Sequence, residues 1–237
     1  MRNIKALTWP ELILLFGIPT LLNFIACKIA IPLLLQNTLL PIEICYFLSV
    51  GLLVLVPMFS GSILLCGSET GSFKAASILE RMRIKKLNAV DTIWTIAGFI
   101  LLSLFSFLIA KIILPMINID AAPFFFRNMP LSGGYMYILY VWPLYFFFNI
   151  FGEEFLWRGY IQPRQELLNG KWTWLVHGIL WAAFHLPMGF DLMLSATPIF
   201  FILPAIVQLR KNTSISIVIH SVFGAFGFLS LALGIVD

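Results

Sequence analysis

Charged side chains are scarce in this sequence. Asp, Glu, Lys and Arg together make up 11% of the 237 residues, whereas a typical soluble domain carries about 25%. Hydrophobic residues account for 60%, and the mean hydropathy is +0.97. This shortage of charge excludes an ordinary soluble globular protein. It predicts an all-α, polytopic integral membrane helix bundle.

Cysteine is also rare, and its three copies are far apart. Cys27, Cys45 and Cys66 lie in apolar stretches without CxxC spacing, so they predict neither a disulfide framework nor a zinc site. We interpret them as packing residues. No patch of mixed aromatic and basic residues accompanies the formal net charge of +4, which argues against nucleic-acid binding. Internal repeats are lacking too, which weakens an inverted-repeat transporter as an interpretation.

Seven apolar stretches are candidates for membrane-spanning helices. A window of about 20 residues, the length that a spanning helix needs, locates them at 11–35, 40–66, 91–117, 136–162, 172–190, 192–209 and 213–236. We therefore expect a single membrane domain over residues 1–237 with about seven transmembrane helices.

The basic residues are concentrated in alternate segments of this bundle. Eleven of the fifteen Lys and Arg residues precede the first span or lie between spans two and three, four and five, and six and seven. Cytoplasmic loops carry such an excess of positive charge. We therefore expect a multi-pass membrane protein with a cytoplasmic N-terminus. As a separate expectation, not drawn from this charge pattern, we place it in a bacterial cell membrane. We also expect the amphipathic, basic segment 72–87 to lie along the cytoplasmic membrane surface.

The fourth span contains three ionisable residues within six positions: Glu153, Glu154 and Arg158. A charge at the bilayer centre costs at least about 2.5–3.5 kcal/mol, so such residues are functional candidates. Glu154 and Arg158 are four residues apart and share one helix face, whereas Glu153 is offset by about 100°. We interpret Glu154 as paired and structural, and Glu153 as free for chemistry.

Two histidines of later spans are predicted at a similar depth to Glu153. With a rise of about 1.5 Å per residue, Glu153 and His220 lie about 12 Å, and His185 about 20 Å, from the cytoplasmic ends of their helices. This convergence favours a buried polar site reached from the cytoplasm. An ion or proton relay would use the same residue types, as would hydrogen bonds that only lock the bundle. We interpret His177 as an interhelical hydrogen-bonding residue.

Three short motifs lie in these spans: EEFLWRG (153–159), WAAFHLP (181–187) and HSVFG (220–224). They resemble the CAAX protease and bacteriocin-processing family of intramembrane endopeptidases, whose best-known members are the type II CAAX prenyl endopeptidases. The resemblance covers about residues 136–224, which would form the catalytic core. Trp181 replaces the phenylalanine that the family usually has, and Gly224 replaces its asparagine.

The resemblance implies hydrolysis of a membrane-associated peptide, either a CAAX-type prenylated C-terminus or a bacteriocin or pheromone precursor. It implies that Glu153 is the general base and that His185 helps to hold the attacking water. It further implies that His220 stabilises the oxyanion, while Glu154 and Arg158 brace the helix.

The resemblance leaves a second function class open. Because Gly224 removes the asparagine that usually assists the histidine, the chain could be a catalytically weak or inactive member that acts in bacteriocin immunity or peptide binding. The implied partners are a peptide or lipidated peptide and membrane lipids. We expect no nucleic-acid partner, and the sequence does not specify the oligomeric state.

Zinc could be ligated by Glu153, His185 and His220, but no His-Glu-x-x-His cassette is present, and we expect no metal and no cofactor.

Overall fold

The computed structural model describes residues 4–119 and 123–235, and its regular structure there is entirely helical. The predicted all-α membrane fold is therefore confirmed. In chain order the helices of the described residues are α1 (Trp9–Asn37), α2 (Ile42–Thr70), α3 (Ala75–Arg81), α4 (Ala89–Met116), α5 (138–169), α6 (Thr173–His185), α7 (Phe190–Ser195), α8 (Thr197–Arg210) and α9 (Thr213–Ala232).

Five helical stretches in the described part of the chain are long and apolar enough to cross a membrane. They are α1, α2, α4, α9 and the continuous stretch Gly133–Met188, which contains both α5 and α6. Helix α8 is apolar but has only 14 residues. The predicted count of seven is therefore not confirmed, although each of the seven predicted spans overlaps one of α1, α2, α4, α5, α6, α8 and α9.

A turn at Gly170 divides the 56-residue stretch Gly133–Met188 into α5 and α6. Gly170 has a φ of 54°, a backbone conformation that favours glycine. Its carbonyl oxygen accepts hydrogen bonds from Thr173 Oγ1 at 2.8 Å and from Gln208 Nε2 of α8 at 3.0 Å. After this turn α6 runs back along α5, and Trp181, late in α6, reaches Glu153 in the middle of α5.

Helix α5 packs against α2, α6 and α9, and one glycine brings it close to α2. A Cβ atom at Gly152 would lie 2.7 Å from the carbonyl oxygen of Leu55, so only glycine permits this approach. Small residues allow such close contacts between membrane helices. Immediately after Glu154 the helix widens into a π-helical turn, Phe155–Ile161, a feature that is frequent at functional sites.

The predicted basic segments meet at one end of the bundle. Arg83 before α4 and Lys211 after α8 both pair with Glu166 of α5, at 2.8 and 2.7 Å. Arg164 Nε donates to the carbonyl oxygen of Lys5, at 3.0 Å, which brings the N-terminal segment to the same end. All four segments therefore share one side of the bundle, as the charge pattern requires. Its cytoplasmic location stays a prediction.

Candidate active site

Glu153 lies on α5 in the interior of the bundle, where it is 2% exposed. Its Oε1 atom accepts a hydrogen bond from Asn149 Nδ2 at 3.0 Å, and its Oε2 atom accepts one from Trp181 Nε1 of α6 at 2.7 Å. The side chain is therefore held by two neutral donors, and within the described residues it forms no ion pair. Because a carboxylate has about four lone-pair sites, each oxygen can still accept a hydrogen bond from water.

Glu154 is fully buried and uses one oxygen for two partners. Its Oε1 atom lies 3.4 Å from Arg158 Nη1, which is the expected ion pair, and 2.8 Å from His220 Nδ1. An ionised carboxylate only accepts hydrogen bonds, so His220 Nδ1 carries the hydrogen of this bond. Glu154 therefore orients the ring of His220 as well as pairing with Arg158, a contact between α5 and α9 that helical spacing alone did not reveal.

The Arg158 guanidinium is fully buried and lies over the ring of Trp181. Its Cζ atom is 3.4 Å from the ring centroid, a cation–π contact that strengthens when water is excluded. None of its three nitrogens makes a hydrogen bond of good geometry within the described residues. Charge pairing with Glu154 and contact with the indole therefore hold the cation.

His185 lies at the end of α6 and is half-buried. Its Nδ1 atom is 3.0 Å from the carbonyl oxygen of Trp181, so this nitrogen carries the hydrogen and the neutral ring keeps a lone pair on Nε2. The ring packs against Phe200 of α8, with centroids 4.6 Å apart. Asn23 of α1 fixes the same turn by donating to the carbonyl oxygen of Phe184 at 2.8 Å. His185 is thus oriented with one nitrogen available to accept a hydrogen bond.

Trp181 brings the predicted site residues together. Its ring centroid lies 5.9 Å from that of His185 and 6.0 Å from that of His220, while its N–H binds Glu153 and its face contacts Arg158. Residues from α5, α6 and α9 therefore surround one indole. Tryptophan in place of the family's phenylalanine adds a hydrogen bond to Glu153 that phenylalanine cannot make.

Residues 135–226 match a protein family described as type II CAAX prenyl endopeptidase Rce1-like. The family resemblance is confirmed. The Rce1-like segment nearly coincides with the predicted core at 136–224 and includes Glu153, Glu154, Arg158, Trp181, His185 and His220. Neither a curated protein nor a solved structure matches the chain. The match is to a family described as endopeptidases and covers less than half of the chain.

Within the Rce1-like segment, Gly224 lies one helical turn after His220 on α9 and faces α5. A Cβ atom at this position would lie 3.3 Å from Phe146 Cε2 and 4.0 Å from Ile150 Cδ1. The missing family asparagine would therefore border the turn of α5 that also carries Asn149.

His177 belongs to a different part of the Rce1-like segment. It is fully buried, with Nδ1 2.8 Å from Gln165 Oε1, and its ring meets Phe16 of α1 edge-on. It therefore links α6 to α5 nearer the basic end, which is the interhelical role predicted for it.

In the described parts of the chain, no group of three or more His, Cys, Asp or Glu side chains is arranged to hold a metal ion. Both oxygens of Glu153 and the Nδ1 atoms of His185 and His220 already contact protein groups. The expectation of a metal-free site stays a prediction.

Proposed function

We propose that this protein is an intramembrane endopeptidase in which Glu153 activates water for attack on a membrane-associated peptide. One observation supports the proposal above all others. Within the segment that matches the Rce1-like family, a buried carboxylate is fixed by two donors beside two oriented histidines. Placing a carboxylate at this depth is costly, which favours a functional reason for it.

In the proposed reaction, water is held between the Glu153 carboxylate and His185 Nε2. As the water oxygen attacks the carbonyl carbon, one of its protons passes to Glu153. The C–N bond then breaks, and Glu153 gives that proton to the leaving amine nitrogen. General acid–base catalysis of this kind contributes about 10²–10⁴-fold to the rate, and the scheme involves no metal.

His220 stabilises the negative oxygen of the tetrahedral intermediate. Glu154 Oε1 accepts the hydrogen of His220 Nδ1 at 2.8 Å and so orients the ring, and the imidazolium form of His220 donates its Nε2–H to the oxyanion. Arg158 Nη1 pairs with the same oxygen of Glu154, 3.4 Å away. In this proposal, the pair that braces the helix also prepares the oxyanion donor.

The substrate class follows from the family resemblance and the membrane location. It is either a CAAX-type prenylated C-terminus or a bacteriocin or pheromone precursor, presented by the lipid bilayer. With the basic end of the bundle in the cytoplasm and the N-terminus inside, the peptide reaches the site from the cytoplasmic side.

A second function, peptide binding without hydrolysis, is favoured by one residue. Gly224 offers no side-chain amide where the family has asparagine. Losing one oxyanion donor typically lowers turnover by about 10²–10³-fold. A chain of this kind would bind its peptide partner in the same cavity, as an immunity protein does.

The test is cleavage by purified protein reconstituted in liposomes. Farnesylated CAAX peptides, the same peptides without the lipid, and hydrophobic leader peptides are incubated with wild type and with Glu153→Gln, and products are identified by mass spectrometry. We expect a truncated product from wild type and a loss of at least about 100-fold in Glu153→Gln. Cleavage that survives in this variant overturns the proposed role of Glu153. Saturable peptide binding without cleavage by wild type establishes the second function instead.

A further inference from the structure

One polar side chain next to Glu153 belongs to none of the three motifs. Asn149 precedes Glu153 by one turn of α5, and its Nδ2 donates one of its two hydrogens to Glu153 Oε1, at 3.0 Å. Within residues 4–119 and 123–235, the second hydrogen of this amide makes no hydrogen bond. Asn149 is only half-buried. A free amide donor is therefore available beside the proposed general base.

The position of Gly224 connects this amide with the departure from the family pattern. By helical spacing, residues 146, 149, 150 and 153 share one face of α5. A Cβ at Gly224 would lie within 4.0 Å of two of them, Phe146 and Ile150. An amide projecting from α9 at position 224 and the amide of Asn149 on α5 would therefore approach the site from opposite sides of the same space.

Trp181, the other donor to Glu153, has no second hydrogen to donate. An indole has a single N–H, and that of Trp181 is used in the 2.7 Å bond to Glu153 Oε2. Asn149 and Trp181 thus share one role, which is to hold the carboxylate. Only Asn149 retains a hydrogen to donate elsewhere.

We propose that Asn149 supplies the oxyanion-binding amide that is missing at Gly224, and so is a further catalytic residue of this chain. The inference rests on the proposed endopeptidase function. As water adds to the peptide carbonyl, the second N–H of Asn149 donates to the developing O⁻ alongside His220, and no proton leaves the amide. The amide that the family places on α9 is thereby provided from α5.

The test is rescue of one variant by another in the reconstituted protein. Asn149→Ala and Trp181→Phe each remove one hydrogen bond to Glu153, so any effect of loosening that carboxylate is common to both. We expect Asn149→Ala to lower kcat by about 10²–10³-fold with little change in KM, because an oxyanion donor acts in the transition state. Adding Gly224→Asn should restore kcat at least about tenfold in Asn149→Ala but not in Trp181→Phe.

The outcomes separate this inference from the proposed function. Absence of cleavage by wild type under every peptide condition overturns the endopeptidase proposal, and the role of Asn149 with it. If wild type cleaves the peptide and Asn149→Ala has an unchanged kcat, the role of Asn149 alone is overturned. The same conclusion follows if Gly224→Asn rescues Asn149→Ala and Trp181→Phe equally, or rescues neither of them. Asn149→Leu, which is similar in volume, replaces Asn149→Ala if thermal melting shows that the alanine variant is unfolded.

Discussion

Glu154 and Glu166 lie twelve residues apart on α5. Both form the same kind of contacts with neighbouring side chains, but Glu154 lies in the interior of the bundle and Glu166 lies at its basic end. Each offers one oxygen to two partners: Glu154 Oε1 contacts His220 and Arg158, and Glu166 Oε2 contacts Arg83 and Lys211. The other oxygen of each carboxylate is buried and accepts no hydrogen bond of good geometry within the described residues. Arg158 is 0% exposed, whereas the Arg83 and Lys211 side chains are 20% and 46% exposed.

This difference in exposure predicts which of the two carboxylates contributes more to stability. At the basic end, the cations can turn to water if Glu166 is lost, so each ion pair contributes about 0–1 kcal/mol. In the interior, Arg158 has no access to water, and removing its counter-charge leaves a buried charge unpaired. The desolvation cost of burying such an ion pair is about as large as the attraction between its charges. Stability alone therefore does not explain the interior charges. Their presence supports a function at that depth, which the sequence pattern already favoured.

The largest expected effect is on stability, in Glu154→Gln. Glutamine retains an acceptor for His220 Nδ1–H but removes the ion-pair partner of the buried Arg158, so we expect a loss of about 3–5 kcal/mol in the free energy of unfolding. Denaturant unfolding and thermal melting in a fixed detergent measure it. Glu153→Gln makes the same chemical change one residue earlier.

Glu153 pairs with no cation, since its two partners are the neutral donors Asn149 and Trp181. We therefore expect Glu153→Gln to lose about 1–2 kcal/mol, one hydrogen bond's worth, because glutamine has a single acceptor oxygen. Equal destabilisation in both variants would contradict the contrast between the structural and the chemical glutamate.

Much of the fold could be predicted from hydropathy alone. Each predicted span overlaps a helix, because apolar runs of spanning length have no stable alternative to helix in a bilayer. The exact bounds could not be predicted. Helix α5 continues to Asn169, beyond the predicted end at residue 162, and Arg164 and Gln165 in this extension are polar but buried against neighbouring helices. Only Ala75–Arg81 of the predicted amphipathic segment 72–87 is helical.

The site could be predicted where it depends on spacing within one helix. The pairing of Glu154 with Arg158 follows from four residues on one face, and the same rule would have indicated that Asn149 lies beside Glu153. The bond from Trp181 to Glu153 and the bond from His220 to Glu154 join different helices. They depend on how far α6 and α9 are shifted along α5, which sequence periodicity does not specify.

An intermediate effect is expected in Asp91→Asn at the start of α4. Asp91 is 4% exposed, accepts from the backbone N–H of Asn88 in a capping box, and also binds Arg210 and Asn212, at 2.9 and 3.1 Å. Arg210 is partly exposed, so only the cap and the charged hydrogen bonds are lost, about 1–2 kcal/mol. Asp191→Asn, the same change on α7, is the control, with an expected change within about 0.5 kcal/mol. A loss as large as that of Glu154→Gln would place Asp91 with the interior charges.

The smallest effect is expected in Glu166→Gln, the counterpart of Glu154→Gln. Arg83 and Lys211 lose their shared anion but remain partly hydrated, so the free energy of unfolding should fall by about 1 kcal/mol or less. The difference from wild type should shrink further as the salt concentration rises from about 0.1 to 1 M, since the Debye length falls from about 10 to 3 Å. Glu80→Gln, at an exposed position of α3, controls for a general loss of negative charge at this end. If Glu166→Gln instead cost about 3 kcal/mol at every salt concentration, the hydration of the remaining cations would not be what distinguishes the two carboxylates. Burial of the acid itself would then decide its contribution.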